Sequence, residues 1–123
     1  MDFENFTDRA RGFIQTAQTL ALRTNHQQLT PLHVLKVLLE DKEGLAANLV
    51  DAAGGDQGRA IEATNREFYK IPKVEGQGAG QLYLSPESAR LFDQAEQLSE
   101  KAGDSVVTVE RLLLAIALAK DGI

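Results

Sequence analysis

No cysteine occurs among the 123 residues. That removes disulfide frameworks, thiolate nucleophiles and cysteine-ligated metal from consideration, and it permits a reducing, cytoplasmic setting. Long apolar runs are missing too. The longest, residues 112–119, falls far short of the ~20 residues that a membrane-spanning helix needs. Basic charge is in deficit: 13 Lys and Arg stand against 18 Asp and Glu, a net charge of −5. A surface that tracks nucleic-acid phosphates needs clustered cations, so neither nucleic acid nor a membrane is an expected partner. The opening residues Met1-Asp2-Phe3-Glu4-Asn5 have no basic stretch followed by an apolar one, so no secretory signal is expected there. Period-two alternation is absent as well. Residues 81–84 are the one place where a short extended piece is expected.

What the chain does contain is helical periodicity. Hydrophobic residues make up 43% and charged residues 25%, a balance that suits one soluble domain with one modest core. A first helix is expected from about Thr7 to Thr24, with Ala10, Phe13, Ile14, Ala17, Leu20 and Ala21 on its inner face. Thr7 is a good N-cap. A second starts at Thr30-Pro31, where the missing proline N–H costs nothing, and carries Leu32, Leu35, Leu38 and Leu39 inward. Shorter helices follow over about 45–53 and 57–69, the latter with Ala60, Ile61, Thr64 and Phe68 inward. Lys70-Ile71-Pro72-Lys73 and the glycines Gly76, Gly78 and Gly80 read as an extended linker. Phe68, Tyr69 and Tyr83 are expected to pin its ends to the bundle. A fifth helix is expected from Ser85-Pro86 to about Ala102, with Ala89, Phe92, Ala95, Leu98 and Ala102 inward. A sixth starts at Thr108, with Leu112, Leu113, Ile116 and Ala117 inward.

The last two helices repeat the first two. A shift of 78 positions lays residues 6–44 over 84–122 without a gap. Thr7 then meets Ser85, Leu20 meets Leu98, Thr30 meets Thr108, Leu35 meets Leu113 and Leu38 meets Ile116. Matching caps and apolar faces imply matching helical hairpins. The expected fold class is all-α: a pseudo-twofold double-repeat helical bundle filling residues 1–123. Repeat one spans about 6–69, the linker about 70–83, and a partial repeat two about 84–123. Two further helices follow Gly44, whereas the sequence stops just after Gly122. The second repeat is therefore expected to be truncated, with apolar surface left open near the C-terminus.

These residues also resemble a known family. Ala17-Gln18-Thr19-Leu20-Ala21-Leu22, His26-Gln27 and Thr30-Pro31-Leu32-His33-Val34-Leu35 are similar to a first Clp N-terminal repeat. Ala102-Gly103-Asp104 with Thr108-Val109-Glu110-Arg111-Leu112-Leu113-Leu114-Ala115 is similar to the second. Lys70-Ile71-Pro72-Lys73-Val74-Glu75-Gly76 followed by Gly80-Gln81-Leu82-Tyr83-Leu84-Ser85 resembles the middle segment of the ClpB type in particular. The resemblance covers essentially the whole chain. It implies the substrate-binding N-terminal domain of a ClpB-type AAA+ disaggregase, a non-catalytic module that captures unfolded or aggregated polypeptides. The full-length protein would be a cytoplasmic homohexamer working with an Hsp70-type chaperone system. ATP and Mg2+ would belong to that full-length protein, and this segment would need no cofactor. The alternative is the adaptor- and substrate-docking domain of a ClpA/ClpC-type unfoldase.

By the same resemblance, Thr7, Asp104 and Glu110 are linked to substrate handling, and Phe92, Leu98 and Val109 are candidates for the lining of an apolar groove. Each polar candidate has a structural reading beside it. Thr7 is an N-cap, Asp104 follows a glycine in a turn, and Glu110 in a first helical turn favours the helix dipole. Where many relatives have Glu-His, the first repeat has Leu32-His33, so it lacks the acidic residue that would mirror Glu110. The two histidines, His26 and His33, straddle a loop and a helix start. No metal-binding pattern accompanies them, and His33 is expected to be hydrogen-bonded or partly exposed.

Overall fold

The helices begin where the sequence places hydroxyls and prolines. A computed structural model describes residues 3–73 and 82–118. Helix α1 covers Asp8–Arg23, and its N-cap Thr7 accepts the Ala10 N–H through Oγ1 at 3.1 Å. A two-residue strand β1, Gln28–Leu29, leads into α2, Pro31–Leu39. Helix α3, Leu45–Ala52, follows a turn at Gly44, whose φ of 72° suits glycine. Helix α4, Gln57–Phe68, is capped by Asp56. Strand β2, Tyr83–Leu84, precedes α5, Pro86–Lys101, whose cap Ser85 accepts from Ser88 N–H. Helix α6 covers Val109–Leu118, with Thr108 Oγ1 accepting from Arg111 N–H at 3.3 Å. The fold is all-α, as the periodicity requires.

The short extended piece expected within residues 81–84 is found at 83–84. Residues 83–84 are extended, but they do not stand alone: β1 and β2 pair in parallel, Gln28 beside Tyr83 and Leu29 beside Leu84. A second parallel bridge joins Phe6 to Val107. Under the shift of 78, residue 6 becomes 84 and residue 29 becomes 107, so the two bridges are one interaction made twice. Ser85 N–H donates to Leu29 O at 3.1 Å, and Thr7 N–H donates to Val107 O at 2.9 Å. The ends of α1 and α5 repeat in the same way. Asn25 and Gly103 both take positive φ, 59° and 82°. Behind them His26 N–H reaches Ala21 O and Asp104 N–H reaches Ser99 O, each at 2.9 Å. Each repeat thus supplies a helix entry that bonds to the other repeat's interhelical loop.

The core lies between the two hairpins. Ala10, Ile14 and Ala17 of α1 meet Phe92 and Ala95 of α5, with Leu38, Leu112 and Ile116 closing the space. The rings of Phe3, Phe6 and Phe92 stack edge to face, with centroids 5.1 to 6.1 Å apart. Several expected inner positions differ. Ala102 and Ala117 are exposed, while Ser88, Leu91 and Ala115 are buried. Ala102 is the C-cap of α5 and has left the helical stripe. Tyr69 and Tyr83 are exposed, so Phe68, 3% exposed, holds its end of the linker alone. Leu114 and Leu118 are 40% and 51% exposed on α6. The linker glycines Gly76, Gly78 and Gly80, and Gly122, lie outside the described residues.

A buried polar node joins α1, α2 and α4. Thr30 N–H donates to His33 Nδ1 at 3.0 Å, which fixes the neutral tautomer: the ring proton sits on Nε2 and is donated to His26 Nδ1 at 2.8 Å. Both imidazoles lie edge-on to Phe68. His33 is fully buried, so of its two expected environments the hydrogen-bonded one is realised. Next to it the Lys36 ammonium stands 5.1 Å above the Phe68 ring and 2.8 Å from Glu40.

Burial, with the nearby His26, depresses the His33 pKa from 6.5 to about 4, and burial depresses that of His26 as well. The unfolded chain therefore takes up protons below pH 6.5 that the folded chain refuses. His33's contribution is complete above pH 6.5 and is lost as the pH falls to about 4, on the order of 3 kcal/mol across that window. Urea melts between pH 7 and pH 4 check this. His33→Gln, which keeps an acceptor for Thr30 and a donor for His26 but does not titrate, is expected to flatten the profile. An unchanged slope would show that the pair does not set acid stability.

Candidate functional site

Three of the residues singled out from the sequence lie on the two segments that the Phe6–Val107 bridge joins. Thr7 sits at the bridge, with its amide on Val107 O and its hydroxyl spent on capping α1. Asp104 leaves the turn after α5. Its carboxylate accepts from Arg111 Nη2 at 3.3 Å. Glu110 is exposed on the first turn of α6, where the helix dipole favours a carboxylate. Beside them lies a hollow of only about 30 Å3, lined among others by Asn5, Glu96, Glu100, Asp104 and Val106. Val106 is 41% exposed, a large apolar side chain amid carboxylates. The surface can therefore offer one greasy contact and several anionic acceptors to an extended, cationic segment.

The three apolar candidates are placed differently. Phe92 and Val109 are 0% and 2% exposed and belong to the core. Leu98 alone is partly accessible, packed at the core's edge on α5. Phe92 sits behind the site because its ring closes the triad with Phe3 and Phe6.

Sequence reasoning passed over Arg111, and the repeat could have found it. Under the shift of 78, His26 and His33 fall on Asp104 and Arg111. The two pairs bond to each other in the same way: His26 to His33 at 2.8 Å in one half, Asp104 to Arg111 at 3.3 Å in the other. One pair is buried under Phe68 and the other faces solvent, with Asp104 and Arg111 side chains 44% and 33% exposed. An exposed pair of this kind is worth ~0–1 kcal/mol and opens readily to a competitor. Among the described residues no cluster of three or more His, Asp or Glu could hold a metal, and no helix is long and apolar enough to cross a membrane.

Thr7 carries two separable jobs, which point mutation can divide. Thr7→Ala removes the cap and is expected to cost ~1 kcal/mol in chemical denaturation, while Thr7→Ser restores it. If polypeptide binding falls in both variants by the same factor, the methyl group of Thr7 rather than its hydroxyl makes the contact.

Comparison with known proteins identifies the family. Residues 5–123 match the family model described as the Clp repeat (R) N-terminal domain. The chaperone protein ClpB of Rhodopseudomonas palustris is 60% identical over 98% of this chain, and that of Brucella suis is 55% identical over 98%. The chain spans 14% of the length of either relative. Among solved structures, the Hsp104 N-terminal domain from Candida albicans matches with a TM-score of 0.84 at 27% identity, covering 95% of this chain and 76% of that one. In sequence, repeat pattern and fold alike, the chain belongs to the Clp repeat N-terminal domain family, as an N-terminal domain of the ClpB/Hsp104 chaperones.

Proposed function

We propose that this domain captures unfolded or aggregated polypeptide and presents it to downstream ATPase modules for threading. What supports the reading is Thr7 at the Phe6–Val107 bridge, with Asp104, the exposed Val106 and Glu110 on the segment that carries Val107. An unfolded segment exposes apolar side chains and retains its Lys and Arg. Val106 and the edge of Leu98 offer apolar contact at about 25 cal/mol per Å2 buried. Asp104, Glu110, Glu96 and Glu100 favour the cations. A cation arriving at Asp104 displaces Arg111 from a weak pair rather than breaking a buried one. Phe92 and Val109 act from beneath, holding the wall in place.

The contact surface is shallow, and ordering a floppy segment consumes much of the gain. Weak binding follows, which suits a site that must hand its cargo onward. In a homohexamer six such domains would raise the effective affinity by proximity. ATP and Mg2+ chemistry, and cooperation with an Hsp70-type chaperone system in the cytoplasm, would belong to the full-length protein. The domain itself would be non-catalytic.

The test is a titration of the isotopically labelled domain with a reduced, unfolded polypeptide, followed by amide resonances. Shifts are expected at Asn5, Asp104, Val106 and Glu110. The double variant Asp104→Asn/Glu110→Gln is expected to weaken them about three- to tenfold, an effect shrinking at high salt. Binding that ignores both the substitutions and the salt would remove the carboxylates from the site.

A further inference from the structure

Beside Val106 the surface opens into the small hollow of about 30 Å3. Helix α5 lines it with Glu96, Ser99 and Glu100, which share a face at spacings of three and four. Asn5 and Asp104 line it from the neighbouring segments. Backbone bonds fix these walls. Val107 N–H donates to Asn5 O at 2.7 Å, and Asp104 N–H donates to Ser99 O at 2.9 Å. The hollow is therefore shaped before anything binds.

Two of its features work against the free domain. Ser99 is 2% exposed, and its hydroxyl makes no hydrogen bond. A buried hydroxyl left idle is destabilising. Glu96 and Glu100 stand four apart, a repelling pair on one helix face. Among the described residues neither is paired with a cation. Asp104 adds a third carboxylate, and Arg111 pairs with that one.

The first repeat shows that the fold requires none of this. Under the shift of 78, Glu96, Ser99 and Glu100 fall on Gln18, Ala21 and Leu22. Ala21 is fully buried and fills the equivalent place on α1 without a hydroxyl. Idle polarity kept at one of two equivalent places, against stability, marks a group directed at a ligand.

The chemistry of that ligand follows from what is missing. The side chains around the hollow are acceptors: three carboxylates, the Ser99 hydroxyl and the Asn5 amide oxygen. The ligand must be a cation. No three of the acidic groups are placed to hold a metal ion, so the cation brings hydrogens of its own. A water-sized group needs ~10–15 Å3 of such space, so the hollow admits about two. A primary ammonium is that small and presents three donors, whereas a guanidinium is a wide planar fork.

We infer that this hollow is a socket for a primary ammonium, with Ser99 Oγ and the Glu96, Glu100 and Asp104 carboxylates as its acceptors. A lysine side chain of a captured segment is one source, and a free chain N-terminus is the other. Lysine suits the place because its apolar stem can lie on Val106, 41% exposed, while the ammonium enters the hollow. The inference rests on the capture reading and adds a preference to it, lysine over arginine, with Ser99 as the residue that sets it.

The probes are peptides of about 12 residues built from Gly, Ser and Leu, too short to fold alone. Two are blocked at both ends and carry one central Lys or Arg. A third has no Lys and a free N-terminus. Each titrates the isotopically labelled domain. The Lys peptide is expected to bind about three- to tenfold more tightly than the Arg peptide and to shift Asn5, Ser99 and Glu100. Ser99→Ala is expected to bring that ratio close to one and to leave stability in urea equal or higher. A variant of lowered stability with an unchanged ratio would show a hydroxyl that serves the fold alone, and would overturn the inference. Equal affinity for the Lys and Arg peptides in the parent domain also overturns it and leaves the capture reading standing. Tighter binding of the free-amine peptide than of the Lys peptide supports the socket and assigns it to chain ends. If no peptide binds while a longer unfolded polypeptide does, the socket falls and capture stands. If neither binds, both fall.

Discussion

Two backbone hydrogen bonds, one in each direction, tie the two repeats together. Thr7 donates to Val107 and Ser85 donates to Leu29. The donors are the N-caps of α1 and α5, so the atoms that start each helix also anchor it to the opposite loop. Ser88 Oγ adds a buried bond to Leu29 O at 2.7 Å, and Ser85 Oγ donates in turn to Ser88 Oγ. Neither hairpin can shift without stranding buried polar groups of the other. Phe6 is thereby carried into the core against Phe92.

The same interlock sets the position of the proposed binding face. Asp104, Val106 and Glu110 flank Val107, which is tied to Thr7. Duplication supplies two versions of each feature, and the sequence makes them unequal. In the first half the paired residues after the opening helix are histidines, roofed by Phe68 and neutral. In the second half they are Asp104 and Arg111, charged and open. Leu32 and Glu110 differ in the same sense, apolar against acidic. One half has turned its loop into core support and the other into a charged surface.

Much of this was legible in the residue order. Thr7, Thr30, Ser85 and Thr108 marked helix starts, Pro31 and Pro86 strengthened two of them, and the shift of 78 gave the pseudo-symmetry. The pairing of Gln28–Leu29 with Tyr83–Leu84 was not legible, because two residues cannot show alternation and their partner is more than fifty positions away. Periodicity told which residues of α5 and α6 face inward only to within one position, hence Ala102 and Ala117. It also could not say that Phe92 and Val109 lie behind the surface rather than on it, since a buried wall and an exposed floor are both apolar. Asp104 and Glu110 rested on family resemblance. Arg111 emerged only once side chains had positions.

Native-state hydrogen exchange tests the interlock most directly. The account expects the amides of Thr7, Ser85 and Val107 to exchange only through global unfolding, with the same free energy and denaturant dependence as the centres of α1 and α5. Fast exchange of the Thr7 or Ser85 amide while those helices stay protected, or separate opening of the two hairpins, would contradict it.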